Sequence, residues 1–183
     1  MPEDASWGTR QPPTTGLRVT YQTVEELFGT DNAFYLPWFQ RAYAWGEENA
    51  HRFLADVARA CLDGRPRYVL GDLVLAQHAG ERRQTIVDGQ QRCFTLTILF
   101  ALLRARAPDP ALAARVRRLI SVPWDDDPLG PYRLAPQPSI ATFFANAIQA
   151  EDAVAESADD MAASEVERTI IQNRLRLGQV LGD

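Results

Sequence analysis

Two short stretches hold the residues best suited to chemistry: "VDGQQR", residues 87–92, and "LPWFQRAYAW", residues 36–45. In the first, a β-branched run ends at Asp88-Gly89, and Gln90, Gln91 and Arg92 stand at the head of an apolar segment that reaches Leu103. A segment apolar on nearly every face, with threonines as its only polar members, reads as a buried helix. Its polar residues are crowded where the first turn leaves amides unpaired and the dipole end is positive. Outward N–H groups of Gln90, Gln91 and Arg92, with the charged fork of Arg92 beside them, make an anion site suited to phosphate oxygens. Asp88 is placed to N-cap the helix, and Gly89 supplies tight or left-handed backbone that lets a ligand approach closely. The competing account is an ordinary capped helix whose glutamines hydrogen-bond neighbouring loops.

The second stretch gathers Trp38, Phe39, Tyr43 and Trp45 around Gln40-Arg41. An aromatic-lined pocket with one glutamine and one arginine would grip a base or a nucleotide. Aromatics at this density also build cores, and an arginine stacked on Trp45 would be structural.

The elements that must position these groups follow from periodicity and stop signals. Thr23 and Glu26 have capping-box spacing for a short helix ended by Gly29. "AFYLP" reads as a strand stopped by Pro37, and "EENAHRFLADVARACLDG" as a helix with Ala50, Phe53, Leu54, Val57, Cys61 and Leu62 on one face, closed by Gly64. "RYVLGDLVLAQ" and "QTIVDG" are strands joined by a hairpin loop, "HAGERR". The buried helix spans about 90–106 and stops at "APDP"; helices over "ALAARVRRLIS" and "SIATFFANAIQ" flank a loop with one short strand near Tyr132 to Leu134. Asp88-Gly89 could instead be a hairpin turn, but the residues after it show no period of two. A last amphipathic helix, "SEVERTIIQNRLRLGQVL", runs almost to the end with no visible cap, so the chain is expected to be the N-terminal piece of something longer. An exposed apolar face on that helix would favour pairing with a missing domain or with a second copy, as a homo-oligomer.

Composition excludes several classes. All 19 basic residues are arginine, so a Walker A P-loop, which needs lysine, is absent; GC-rich coding accounts for the missing lysines. His51 and His78 have no CxxC or HExxH companions, so neither a structural zinc site nor an HNH-type nuclease centre can be assembled. Cys61 and Cys93 fall inside helices and are expected to be buried thiols. No run of 18 apolar residues exists and the N-terminus lacks a signal peptide, so a cytoplasmic protein is expected. The net charge of −5 is concentrated late: Glu151, Asp152, Glu156, Asp159, Asp160, Glu165 and Glu167 have no base among them. Nucleic-acid binding would need a local patch, and Arg104, Arg106, Arg115, Arg117 and Arg118, opposed in that stretch only by Asp109, could form one or could be a solvated helix face.

Taken together and in this order, "LPWFQRAYAW", the amphipathic helix, "YVLGDLVLAQ" and "TIVDGQQRCFTLTILFALL" resemble the N-terminal domain of GmrSD-type restriction proteins, the DGQQR family, over roughly residues 20–150. Cys93-Phe94 stands where that family often has Leu-Thr. The resemblance implies an α+β fold like that of ParB and sulfiredoxin, a small mixed sheet packed by helices with a helical C-terminal extension. It divides the chain into a disordered tail over 1–16, a nucleotide-binding domain over 17–150, and an acidic linker with the start of a helical region over 151–183. It also implies an anti-phage function: nucleotide binding, often hydrolysis of GTP, UTP or CTP, coupled to recognition of modified double-stranded DNA, with an HNH-type nuclease domain outside this chain. Some relatives, the SspE proteins, sense phosphorothioate-modified DNA. The family's nucleotide-site residues carry over to Asp88, Gly89, Gln90, Gln91 and Arg92, and its QR pair to Gln40 and Arg41, facing the same cleft.

The mechanism expected from these residues has Arg92 and the helix amides holding a nucleoside triphosphate. Asp88 would hold Mg²⁺ or orient the attacking water, and Arg41 would neutralise developing charge. Asp72 in "LGD" is a secondary metal candidate, or merely a strand residue at a bulge. The alternatives are a DNA-binding module that hydrolyses nothing and a structural adaptor whose polar knot only braces the fold.

Overall fold

Every residue from Cys93 to Leu102 is buried, as a helix apolar on all sides requires. This helix, α3 (Gln90–Arg106), is the centre of the fold. Its threonines cause no loss inside the core, because Thr95 and Thr97 return their hydroxyls to the carbonyls of Gln91 and Cys93, at 3.0 and 2.8 Å. The computed structural model describes residues 16–153 and 162–182. The tail expected over 1–16, save its last residue, and Glu156, Asp159 and Asp160 of the acidic stretch lie outside the described residues.

Around α3 the chain is α+β. Helix α1 (Val24–Gly29) opens with the reciprocal Thr23–Glu26 capping box and leads to β1 (Ala33–Tyr35). Helix α2 (Glu47–Leu62) is followed by the hairpin of β2 (Val74–Ala76) and β3 (Arg83–Asp88). After α3 come α4 (Pro110–Ile120), N-capped by Asp109, and β4 (Leu134–Ala135). Helix α5 (Pro138–Phe144) continues into a π-helical turn, Ala145–Gln149, and α6 (Glu165–Val180) follows.

The four strands form one mixed sheet in the order β2-β3-β1-β4. Strand β1 is parallel to both neighbours, with Tyr35 opposite Thr85 on one side and Ala135 on the other, while β2 is antiparallel to β3. The chain therefore leaves β1, β3 and β4 at one edge of the sheet and enters β2 at that same edge. Ligands of parallel sheets gather at such carboxyl ends.

Aromatic contacts tie the layers together: Phe28 meets Phe34 and Phe100 edge-on at 5.2 and 5.3 Å, and Phe94 meets Phe144 at 4.9 Å. Helix α6 belongs to this core. Ile170, Ile171 and Leu177 are fully buried, and the helix packs on α2 and α3, so the apolar face expected to be exposed is covered from within the chain. Ser164 and Glu167 give it a capping box at its start. Cys61 departs from expectation as well: the buried stripe of α2 passes through Ala60, leaving Cys61 exposed and Cys93 alone as a buried thiol.

Arginine forks serve here as clamps on backbone carbonyls. Arg133 reaches those of Thr30, Asn32, Arg118 and Ser121, and its burial pulls its pKa down to about 10 despite the nearby Asp31. Arg83 holds the carbonyls of Phe34, Arg133 and Gly130 and a buried ion pair with Asp127 at 3.0 Å. No helix among the described residues is long and apolar enough to cross a membrane.

Candidate functional site

The turn between β3 and α3 falls on Gly89, the N-cap residue, at φ +95° and ψ +8°, with no side chain capping the helix. Asp88 is therefore not the cap that the sequence suggests: β3 keeps its ladder through Asp88, opposite Val74, and the left-handed step comes one residue later. A glycine is required for a second reason, since a Cβ on Gly89 would stand 2.7 Å from Leu73 Cδ1 and 3.2 Å from the Asp72 carbonyl. The first intrahelical bond runs from Cys93 N to Gly89 O at 3.1 Å. The amides of Gln90, Gln91 and Arg92 precede it and have no acceptor in the helix. The first turn of α3 holds no acid, whereas α1, α2 and α6 each begin with two glutamates. The first turn of the most buried helix thus carries no acid of its own against its positive end.

A hollow of about 130 Å³ opens there, lined by Arg41, Trp45, Asp88, Gly89, Gln90, Gln91 and Arg92. Arg41 is exposed and makes no hydrogen bond or ion pair with any described residue. Gln90 is only 7% exposed, yet its side-chain amide also makes no hydrogen bond among the described residues. Its amide is open at the hollow and free to bond a ligand there. Arg92 is half-buried, donating one Nη to the carbonyl of Asp72 at 2.9 Å. The carboxylate of Asp88 is exposed and unpaired among the described residues, so two guanidinium groups face one carboxylate and the hollow is net positive.

The wall that carries Arg41 is irregular chain, and side-chain amides from two helices and from the residue before a third satisfy its backbone. Gln91 Oε1 accepts the amides of Ala44 and Trp45 at 2.8 and 3.1 Å, and its Nε2 donates to the Ala42 carbonyl at 3.0 Å. Gln137, the residue before α5, donates to the Gln40 carbonyl at 2.9 Å. From α6, Asn173 donates to the Tyr43 hydroxyl and the Trp45 carbonyl, and Tyr43 is bonded in turn to Thr95 at 2.9 Å. Gln40 donates to the Val87 carbonyl at 3.2 Å, fastening this wall to the end of β3. Gln91 is thus engaged with the loop, and Gln40 with the sheet, while Arg41 is presented free on a braced frame.

Other expected residues fall elsewhere. The aromatics do not line one pocket: Tyr43 is core, Trp45 packs on Phe53 at 5.7 Å, and Trp38 and Phe39 face solvent. The five arginines of residues 104–118 are dispersed. Arg104 holds the carbonyls of Gln149 and Ala150, Arg106 that of Gly178, Arg115 is paired with Glu25 and Arg117 with Glu151; Arg118 has no such partner among the described residues. Asp72 contributes its carbonyl to Arg92, the strand irregularity lies at Val74/Leu75 instead, and among the described residues no three His, Cys, Asp or Glu side chains cluster to hold a metal. A larger hollow, about 230 Å³, lies over Glu47, Glu48, His51 and Arg176, where two carboxylates would repel an anion.

Gln137 and Asn173 are the site residues that sequence reading missed. Asn173 carried a signal, since it lies three residues after Ile170 and four before Leu177, a polar residue on the apolar face of its helix. Gln137, between two prolines, carried none.

The mixed sheet thus brings its parallel strand ends to a helix start whose first amides have no acceptor in the helix and whose first turn holds no acid. The model of the family "GmrSD restriction endonuclease, N-terminal domain" matches residues 24–179, which include the whole of this framework, and the chain belongs to that family. It is accordingly a component of a DNA restriction system. No curated protein matches the sequence.

Proposed function

We propose that this domain binds a nucleoside triphosphate with its phosphates at the start of α3, and hydrolyses it as part of sensing modified DNA for a nuclease domain outside this chain. The carrying observation is the unbonded side-chain amide of Gln90 beside the free Arg41, in a hollow that ends on the unpaired amides of α3. Amides and two guanidinium groups would bind phosphate oxygens, and Arg41 would stabilise charge that develops on transfer. A single unpaired carboxylate next to a phosphate site fits Mg²⁺, which is held by one or two carboxylates plus phosphates. Asp88 would hold it, and its charge would offset that of the phosphates. Asp88 is also the one carboxylate on the hollow able to orient a water.

One observation favours a different reading, a structural adaptor: Arg92 braces the entry to β2 through the Asp72 carbonyl. Arg41 separates the two readings because it braces nothing. Calorimetric titration with GTP, UTP, CTP and ATP plus Mg²⁺ should show saturable binding of at least one, weakened tenfold or more in Arg41→Ala at unchanged thermal stability. Absence of binding by the folded chain, or equal binding by Arg41→Ala, would sink the proposal.

A further inference from the structure

Among the described residues Trp38 and Phe39 are an exposed aromatic pair with no apolar neighbour element to cover them. They are 78% and 66% exposed, in the turn closed by Gln40 and just before Arg41. Their rings meet at 5.8 Å with planes at 87°, so the exposed pair forms a right-angled corner. Val87, whose carbonyl holds Gln40, is also half exposed at this rim. Exposing a tryptophan this fully has no folding benefit.

The hollow at α3 is too small for a whole nucleotide. At about 130 Å³ it falls well below the roughly 300–1,000 Å³ of sites that enclose a nucleotide-sized ligand. It can take phosphates, and the base must lie outside on the rim. Trp38 lies three positions before Arg41, a reach of at most about 11 Å, within the length of a nucleoside triphosphate. We infer that Trp38 and Phe39 are the base platform of this site, Trp38 stacking on the face of the base and Phe39 bordering its edge. The inference rests on the nucleotide reading above and adds where its base-recognising contacts come from. Every base has a π-face, so the platform supplies affinity for nucleobases in general.

The test compares nucleoside triphosphate with inorganic tripolyphosphate, which has the phosphates and no base, on the full chain with Mg²⁺. In Trp38→Ala, nucleotide affinity should fall about 5- to 100-fold while tripolyphosphate affinity stays at the parental value, and Trp38→Phe should restore most of the loss. Arg41→Ala should weaken both ligands alike. Parental nucleotide binding by Trp38→Ala would overturn the platform and leave the phosphate site standing, as would an equal loss of both ligands in that variant. If the parent protein binds neither ligand, the nucleotide reading fails and the platform with it.

Discussion

Gly71 lies under the guanidinium of Arg92 so closely that a Cβ added to it would stand 2.8 Å from Arg92 Cζ. Its φ of +107° is one that other residues rarely adopt. An alanine there meets a strained backbone, costing about 1–3 kcal/mol, and pushes Arg92 off the Asp72 carbonyl. Gly71→Ala should therefore lower stability in denaturant by that amount and also weaken phosphate binding. A variant unchanged in both respects would separate Gly71 from the site.

Gln91 links the helix start to the loop that carries Arg41, and its two ends can be tested apart. Gln91→Ala leaves the amides of Ala44 and Trp45 without an acceptor, which should cost roughly 1–3 kcal/mol and speed hydrogen exchange at both. Gln91→Glu keeps the acceptor but places a negative charge on the hollow. It should stay folded and lose anion affinity; full retention of affinity would contradict a phosphate site there.

Burial pushes the Tyr43 hydroxyl up to about 12, against the opposing effect of its bonds to Thr95 and Asn173. The folded state then holds a proton that the unfolded state releases near pH 10. Stability from this group is complete below pH 10 and is lost as pH rises towards 12, by about 3 kcal/mol. The Cys93 thiol, also pushed up to about 12 by burial, acts in the same direction from about pH 9. Unfolding measured from pH 8 to 12 should show a steep alkaline loss, made shallower by Tyr43→Phe. An identical slope in that variant would refute the assignment.

Two arginines of one sequence run should behave differently. Arg115 forms an exposed pair with Glu25, and Arg115→Ala should leave stability almost unchanged. Arg104 is partly buried and satisfies two carbonyls at the end of the π-helical turn, so Arg104→Ala should cost about 1–3 kcal/mol. Equal thermal shifts for the two would contradict the division.

These contrasts mark what a linear reading reaches. Helix 90–106 was legible to the residue because its apolar run, its glycine start and its "APDP" stop are local signals. Strands β1, β3 and β4 were placed to within a residue or two, whereas β2 is only the end of the run expected over 67–77; the strand order was not legible, because β1 and β4, of three and two residues, carry too little pattern to specify a partner. The arginines of 104–118 looked unopposed because Glu25 and Glu151 lie far outside that window. The hollow is similar: Asp88–Arg92 and Arg41 are recognisable as residue types, but the clamps from Gln137 and Asn173 exist only once parallel strands bring their ends to one edge.

The most direct test of the account is a titration of the isotopically labelled chain with nucleoside triphosphate and Mg²⁺, followed at the backbone amides. Saturable shifts largest at Gly89, Gln90, Gln91 and Arg92, with Arg41 moving in step, are the predicted result. Shifts confined to the hollow over Glu47 and His51, or none at any concentration, would contradict a phosphate site at the start of α3.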